Sequence, residues 1–178
     1  MAQTIDTIFN LKTTLEVDEQ FVLKPIIEEF LNQEAVLYAH NSETSGIKQS
    51  LPDFYVSSQQ QAKEKLQQFI KETQEQKSVL YCVRFKDFLA PIGYIYLERP
   101  TNKEDTWKVK IWINGSMQKK GIMTKAIKSM IPLLKDLSID KLDATVASDN
   151  QLGSKIFEKM GFKLIDSEHG VDHYQYAI

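Results

Sequence analysis

One cysteine, Cys82, stands among the 178 residues, so no disulfide can form within the chain. It lies in the apolar run Val79-Leu80-Tyr81-Cys82-Val83 with no recognisable base nearby in sequence. It therefore reads as a small buried hydrophobe rather than a nucleophile. No apolar run is long enough to span a bilayer. The N-terminus lacks the basic segment, apolar core and small-residue cleavage site of a signal peptide, so a soluble cytoplasmic protein with no membrane partner is expected. Neither sign of charge dominates: 22 Lys and Arg face 24 Asp and Glu, and the pI is about 6.0. That argues against a broad basic surface and against nucleic acid as a partner. Internal repeats and low-complexity linkers are also missing. The length suits one domain over residues 1–178, large enough to bury a core without disulfide or metal staples.

What is present is an alternation of hydrophobic periods. Residues 23–39 carry Ile26, Ile27, Phe30, Leu31, Val36 and Leu37 at helical spacing, with Pro25 placed for a first helical turn. The polar stretch 41–52 reads as a loop. Ser57 or Ser58 caps a second helix, with Gln60 or Gln61 three residues on and an apolar stripe of Ala62, Leu66, Phe69 and Ile70 reaching about Gln76. The period then shortens. Residues 78–84, 91–99 and 107–113 are rich in β-branched and aromatic side chains and read as an antiparallel meander, with a hairpin at 86–90. Tyr81, Tyr94, Tyr96 and Trp107 fit sheet packing there. A helix follows from Ile122 to Leu137, in which Pro132 predicts a kink or an early stop. Residues 141–147 alternate as a strand. Ser148 and Gln151 form a capping box for another helix, which Gly161 ends, and two strands at 162–166 and 173–178 close the chain. The order predicts an α/β (α+β) protein with a mixed sheet and at least one crossover helix.

Chemistry concentrates in Trp112-Ile-Asn-Gly-Ser-Met-Gln-Lys-Lys-Gly-Ile-Met-Thr124. A strand ends, a loop turns and a helix begins. The first N–H groups of a helix have no intrahelical acceptor and carry partial positive charge, so an anion such as pyrophosphate can sit on them. Gly121 allows close backbone approach, and Lys119 and Lys120 add charge. On spacing alone, two lysines are as readily a solvated face. A second strand–cap–helix–glycine unit, Ser148 to Phe162, follows at a fixed separation.

Together the two units resemble the GNAT superfamily of N-acetyltransferases, and within it the RimJ/RimL type. Gln118-Lys-Lys-Gly121-Ile-Met123 lies on the family's Gln/Arg-x-x-Gly-x-Gly/Ala loop, Trp112-Ile113 precedes it as in the family, and Asn150 with Glu158-Lys159-Met160-Gly161-Phe162 matches the later motif. Pro91-Ile-Gly-Tyr-Ile95 is similar to the family's Ile-Gly strand. The resemblance covers residues 78 to the end; earlier residues match in layout. It implies a mixed, mostly antiparallel twisted sheet flanked by helices, and acetyl-coenzyme A as cosubstrate without a metal. The strand ending at Trp112-Ile113 would pair with the pantetheine arm. Gln118, Lys119, Lys120, Gly121, Ile122, Met123 and Thr124 would cradle the pyrophosphate, and Asn150 would bond the arm. The acceptor would be a protein N-terminal or small-molecule amine attacking the thioester directly, on a monomer or homodimer.

Three positions depart from the family. Met123 replaces Gly or Ala, Gly153 stands where a serine is usual, and Phe157 stands where other branches carry tyrosine. Ser154 is one residue, about 100° of helix, away from the serine position. The proton for the departing thiolate then falls to water, to Ser154 on a shifted helix, or to the closing hairpin through Tyr174 or Tyr176. Glu98 is a candidate base at a strand end, with Glu43 and Asn41 in the loop expected to wall the acceptor pocket. His169 and His173 are four apart but off any helix, so they do not share a face for a metal. Two other readings stay open: a GNAT-fold module that binds acyl-coenzyme A with little catalysis, and an interaction domain that needs no coenzyme.

Overall fold

Strands covered on both faces become apolar from end to end, and β3 (Ser78–Phe85) and β4 (Pro91–Glu98) are of this kind, buried except at their last residues. The computed structural model describes residues 8–10, 12–101 and 106–178. The remaining N-terminal residues, on which the absence of a leader was read, lie outside the described residues. Ahead of β3 come β1 (Leu15–Glu16), β2 (Phe21–Pro25) and helices α1 (Leu31–Thr44), α2 (Ile47–Ser50) and α3 (Gln59–Gln74). After β4 come β5 (Thr106–Ile113), α4 (Ile122–Asp136), β6 (Lys141–Ala147), α5 (Gln151–Met160), β7 (Lys163–Glu168) and β8 (Val171–Ala177). The strands form one sheet in the order β1-β2-β3-β4-β5-β6-β8-β7. Every neighbouring pair is antiparallel except β5 and β6, which α4 connects.

The sheet separates two cores. On one face Val79, Tyr81 and Val83 of β3 pack with the stripe Ile122, Ala126, Ile127, Met130 and Leu134 of α4 and with Phe157 and Met160 of α5. On the other, Leu80 and Cys82 alternate onto Ala35 and Tyr38 of α1 and Leu66, Phe69 and Ile70 of α3. Burial pushes the Cys82 thiol up to about 12, in keeping with an inert core residue. Ser58 caps α3 by accepting from the Gln61 N–H, and the meander, its hairpin and the closing strands sit where the period placed them.

Four local expectations differ from the structure. Residues 21–25 form β2 rather than the start of a helix, with Leu23 opposite Val83, so strand pairing with β3 overrides the local helical pattern. The expected loop at 41–52 is helical over much of its length. The inward face of α1 continues through Glu34, Asn41 and Ser42, all buried, so an apolar periodicity does not reveal it. Of the kink or early stop expected at Pro132, the early stop does not occur, since helix α4 runs on to Asp136. Pro132 and Lys128 are both on the exposed side, where water can take the carbonyl that loses its donor. The cap of α5 is Asn150, not Ser148, whose hydroxyl instead donates to Asp172 at 2.6 Å.

The polar face of α1 is held by a buried ion pair. Arg84 of β3 donates to Glu34 Oε1 at 2.6 Å, to the Leu89 carbonyl at 2.9 Å and to the Pro25 carbonyl at 3.2 Å. Its side chain is 0% exposed. One guanidinium thus ties α1, the end of β2 and the β3–β4 hairpin together. A buried pair is weak evidence of net stability against an apolar replacement, but removing one partner strands the other charge. Glu34→Ala should therefore lower the unfolding free energy by about 3 to 5 kcal/mol in urea titrations. A loss under about 1 kcal/mol would mean that the pair behaves as a surface salt bridge.

Candidate active site

The site begins where two strands part. β5 and β6 pair in parallel only at Thr106↔Lys141, Trp107↔Leu142 and Lys108↔Asp143. Beyond that point β5 stays bonded to β4 as far as Gly93↔Ile113, and β6 stays bonded to β8 as far as Ala147↔Val171. Each strand keeps its outer partner while residues 109–113 and 144–147 face each other without a ladder. Their inward N–H and C=O groups form an edge that needs a hydrogen-bonding partner from elsewhere.

The N-terminus of α4 lies at the end of that edge. Asn114 fixes the turn, its Oδ1 accepting from the Ser116 N–H at 3.0 Å and its Nδ2 donating to Asn41 Oδ1 at 2.8 Å. Asn41 in turn donates to the Pro91 carbonyl at 2.8 Å. Gln118 Nε2 reaches the Ser45 carbonyl at 3.1 Å, joining the loop to the end of α1. Lys119 and Gly121 then take left-handed backbone conformations, with φ of 62° and 74°. That geometry costs glycine little but strains lysine. No side chain caps α4, so its first N–H groups open onto a cavity of about 390 Å³ lined by the loop and by α5.

Helix α5 forms the opposite wall. Asn150 Oδ1 accepts from the Gly153 N–H at 3.0 Å, which leaves Nδ2 without an acceptor among the described residues, beside a cleft of about 620 Å³. A Cβ at position 153 would come within 2.8 Å of Asn150 Nδ2 and 2.9 Å of Val146 Cγ1. Glycine is therefore what permits the Asn150 side chain to fold back on its own helix. A smaller cavity of about 80 Å³ lies between the parted strands and also meets Asn150 and Gly153.

All ten residues expected to hold the coenzyme line these adjoining cavities: Trp112, Ile113, Gln118 to Thr124, and Asn150. The three expected to act on protons do not. Ser154 follows the cap on α5 and borders none of the cavities. Tyr174 is 2% exposed and stacks with Phe157 in the core. Glu98 pairs with Lys108 at the far end of β4, roughly 17 Å along the strand from Gly93 at 3.4 Å per residue. Tyr176 packs on Phe162. Asn41 is buried in the network above, and Glu43 accepts from the Tyr55 hydroxyl at 2.6 Å on the surface. Among the described residues no group of three His, Cys, Asp or Glu is placed to hold a metal.

Sequence reasoning expected the 41–52 segment to wall the pocket but named Asn41 and Glu43 rather than the residues that do so, and it missed the α5 wall. Ser45, Gln49 and Ser50 of the α1–α2 segment face the cleft, and Leu152, Lys155, Ile156 and Lys159 of α5 face the cavity at α4. The second was readable, since those four residues fall at i, i+3, i+4 and i+7 and so share one helix face. Which residues of the first face the cleft had no signal, because the segment read as a loop and is helical.

A family model described as the Acetyltransferase (GNAT) domain matches residues 21–163. Among solved structures, an acetyltransferase from Salmonella typhimurium that modifies the N-terminal serine of a 50S ribosomal subunit protein is 19% identical, with a TM-score of 0.77 over 93% of this chain and 99% of that one. RimL in complex with coenzyme A is 18% identical, with a TM-score of 0.75 over 93% and 98%. The microcin self-immunity acetyltransferase MccE, in complex with acetyl-CoA and AMP, is 18% identical, with a TM-score of 0.74 over 91% and 94%. No curated protein sequence matches the chain significantly.

The cap assignment separates two roles of Asn150. Asn150→Ala should cost about 1 kcal/mol of stability, and Asn150→Asp, which caps equally well, about 0.5 kcal/mol or less. Equal losses in a denaturant series would show that Nδ2, not Oδ1, holds the helix.

Proposed function

The chain belongs to the GNAT acetyltransferase family, and from that premise we propose that it moves an acetyl group from acetyl-coenzyme A to a primary amine, a protein N-terminus or a small amine, by direct attack in a ternary complex. The observation that carries this reading is the unpaired edge of β5 running into the uncapped N-terminus of α4. The residues present fit the coenzyme. The β5 edge offers backbone donors and acceptors to the amides of a pantetheine arm, and the first-turn N–H groups of α4, with Lys119 and Lys120, offer a seat for a pyrophosphate. Asn150 Nδ2 adds a donor beside the arm. Held this way, the thioester presents its carbonyl to the cleft, and catalysis comes chiefly from positioning the amine against it.

Proton handling follows from what lines the cleft. Asp149 is the one carboxylate among the described residues bordering the three cavities, and it is exposed. With no buried base, the acceptor must arrive neutral and shed its proton to solvent after attack. An α-amine, with a pKa near 8, supplies far more neutral form at neutral pH than a lysine near 10.4. This supports an N-terminal or similarly weakly basic amine. Ser50 lines both cavities that meet Gly153. Its hydroxyl, or water in the 80 Å³ cavity, takes the place of the family serine in protonating the departing thiolate.

The absent side chain at Gly153 also favours a second reading, an acyl-coenzyme A-binding module with little catalysis. The two diverge on thiol release: an enzyme liberates coenzyme A thiol from acetyl-coenzyme A with some member of an amine panel, and a module liberates none.

Two further outcomes are expected. Acetyl-coenzyme A should raise the melting temperature, because a ligand of the native state stabilises it. Gly121→Glu should abolish that rise, whereas Gly121→Ala, which bears the same left-handed strain without a carboxylate, should retain it. A rise that survives in Gly121→Glu would mean that the anion seat lies elsewhere. With an α-amine acceptor, kcat/KM should climb with pH toward an inflection near 8, the pKa of the free amine. A plateau already reached near pH 6 would instead reveal a base on the protein.

A further inference from the structure

We infer that the Lys110 ammonium is the counter-charge for the thiolate that leaves acetyl-coenzyme A; the inference rests on the acetyl-transfer reading above. Lys110 stands on β5 two residues past Lys108, the last residue of that strand to pair with β6. It is half-buried. With Ser50, Thr145, Asn150 and Gly153 it lines the cavity of about 80 Å³ between the parted strands, which no carboxylate among the described residues borders. Its ammonium lies 4.9 Å from the centroid of the Phe54 ring, a cation–π contact that restrains a long and flexible side chain. Phe54 is in turn packed against Phe69, Tyr96 and Trp112. The charge is held in place, yet Lys110 forms no salt bridge among the described residues. Acids on the adjoining elements are engaged elsewhere. Glu98 of β4 pairs with Lys108, Asp143 of β6 accepts from Gln175, and Glu72 of α3 accepts from Ser78 and Tyr96.

A partly desolvated cation without a counter-ion favours any anion that forms beside it. Acetyl transfer forms one. The pantetheine arm enters at the head of α4, next to Ile113, and follows the free edge of β5 back toward Lys108. Lys110 is three residues from Ile113, about 10 Å of strand, so the sulfur end of the arm is directed to the closed end of the opening, where Lys110 stands. The amine nitrogen bonds to the thioester carbon, and the C–S bond then breaks with its electron pair on sulfur. The proton shed by the nitrogen goes to solvent. An ammonium is a weaker acid than a thiol. Lys110 therefore keeps its proton and acts through its charge, while the sulfur takes a proton from Ser50 or from water. A full charge also acts over a longer distance than a neutral hydrogen bond. Glycine at position 153 is then no loss to the leaving group, because its stabilisation comes from β5 rather than from α5.

The test reads the thiol of bound coenzyme A. Its thiolate absorbance is followed against pH in the complex with the wild-type protein, with Lys110→Met and with Lys110→Arg, and the desulfo-coenzyme A complex serves as the blank. The expected result is a bound thiol that ionises about one pH unit below that of free coenzyme A in the wild type, a ten-fold shift. The shift should vanish in Lys110→Met and persist in Lys110→Arg. With any amine that is acetylated, Lys110→Met should also lower kcat about 100-fold, and Lys110→Arg should recover most of it. The titration needs no turnover, and its wild-type arm needs no variant to fold. A wild-type thiol that ionises no lower than free coenzyme A would overturn the assignment and leave the coenzyme reading standing. So would a shift that survives in Lys110→Met. A loss confined to the KM of the amine would overturn it by moving Lys110 to acceptor binding. Failure of coenzyme A to bind would remove the coenzyme reading itself.

Discussion

The short parallel register between β5 and β6 is the constraint on which the site depends. Parallel strands need a crossover, and α4 supplies it. The crossover helix must start where β5 ends, so its positive terminus is delivered to the mouth of the opening between the strands. Had the pairing continued past Lys108, the inner edges of both strands would be satisfied by each other and no bonding groups would remain for a ligand. An unpaired edge inside a sheet is ordinarily a liability. Here it is enclosed by α5 on one side and by the α1–α2 segment on the other, which leaves room for an extended molecule and little else.

The helices on the opposite face hold the opening in shape through polar contacts that are expensive to break. Asn41 bridges Pro91 and Asn114, Gln118 reaches Ser45, and Arg84 gathers Glu34 with two carbonyls. Together they tie α1 to β3, to the start of β4 and to the loop after β5. Trp112, at the parting edge, packs against Tyr94, Tyr38 and Phe54, so the unpaired end of β5 is braced by an aromatic layer. Rigid support of this kind is what positional catalysis requires, since a displacement of about 1 Å can cost about 100-fold in rate.

The cleft that results has a marked chemical asymmetry. Its end at the head of α4 is lined by four lysines, while the cleft beside Asn150 is walled by apolar and neutral polar side chains, with Asp149 as its carboxylate. On the proposed function, such a site leaves proton removal to solvent and to the acceptor's own basicity. Gly153 fits the same pattern, because it gives up a side-chain hydroxyl and in exchange lets Asn150 cap α5 while keeping an amide donor toward the cleft.

By itself the sequence determined the parts whose signals are local. The strand and helix periods from Ser78 onward and the glycine turn at Gly121 located the strand–loop–helix unit at the head of α4, because helix termini and left-handed turns are set by nearest neighbours; the resemblance to the GNAT family then proposed a coenzyme for it. It did not reveal β2, whose pairing with β3 is a contact between distant residues, nor the full length of α1, whose buried face is polar. The capping box read at Ser148 does not form: Asn150 caps α5, and the Ser148 hydroxyl bonds Asp172 on β8 instead. The proton-handling candidates show the same limit. Ser154, Tyr174 and Glu98 were chosen by type and position along the chain, yet helix phase, core packing and strand direction send each away from the cleft. Where a side chain points is decided by the elements packed against it, and those elements come together only in the folded sheet.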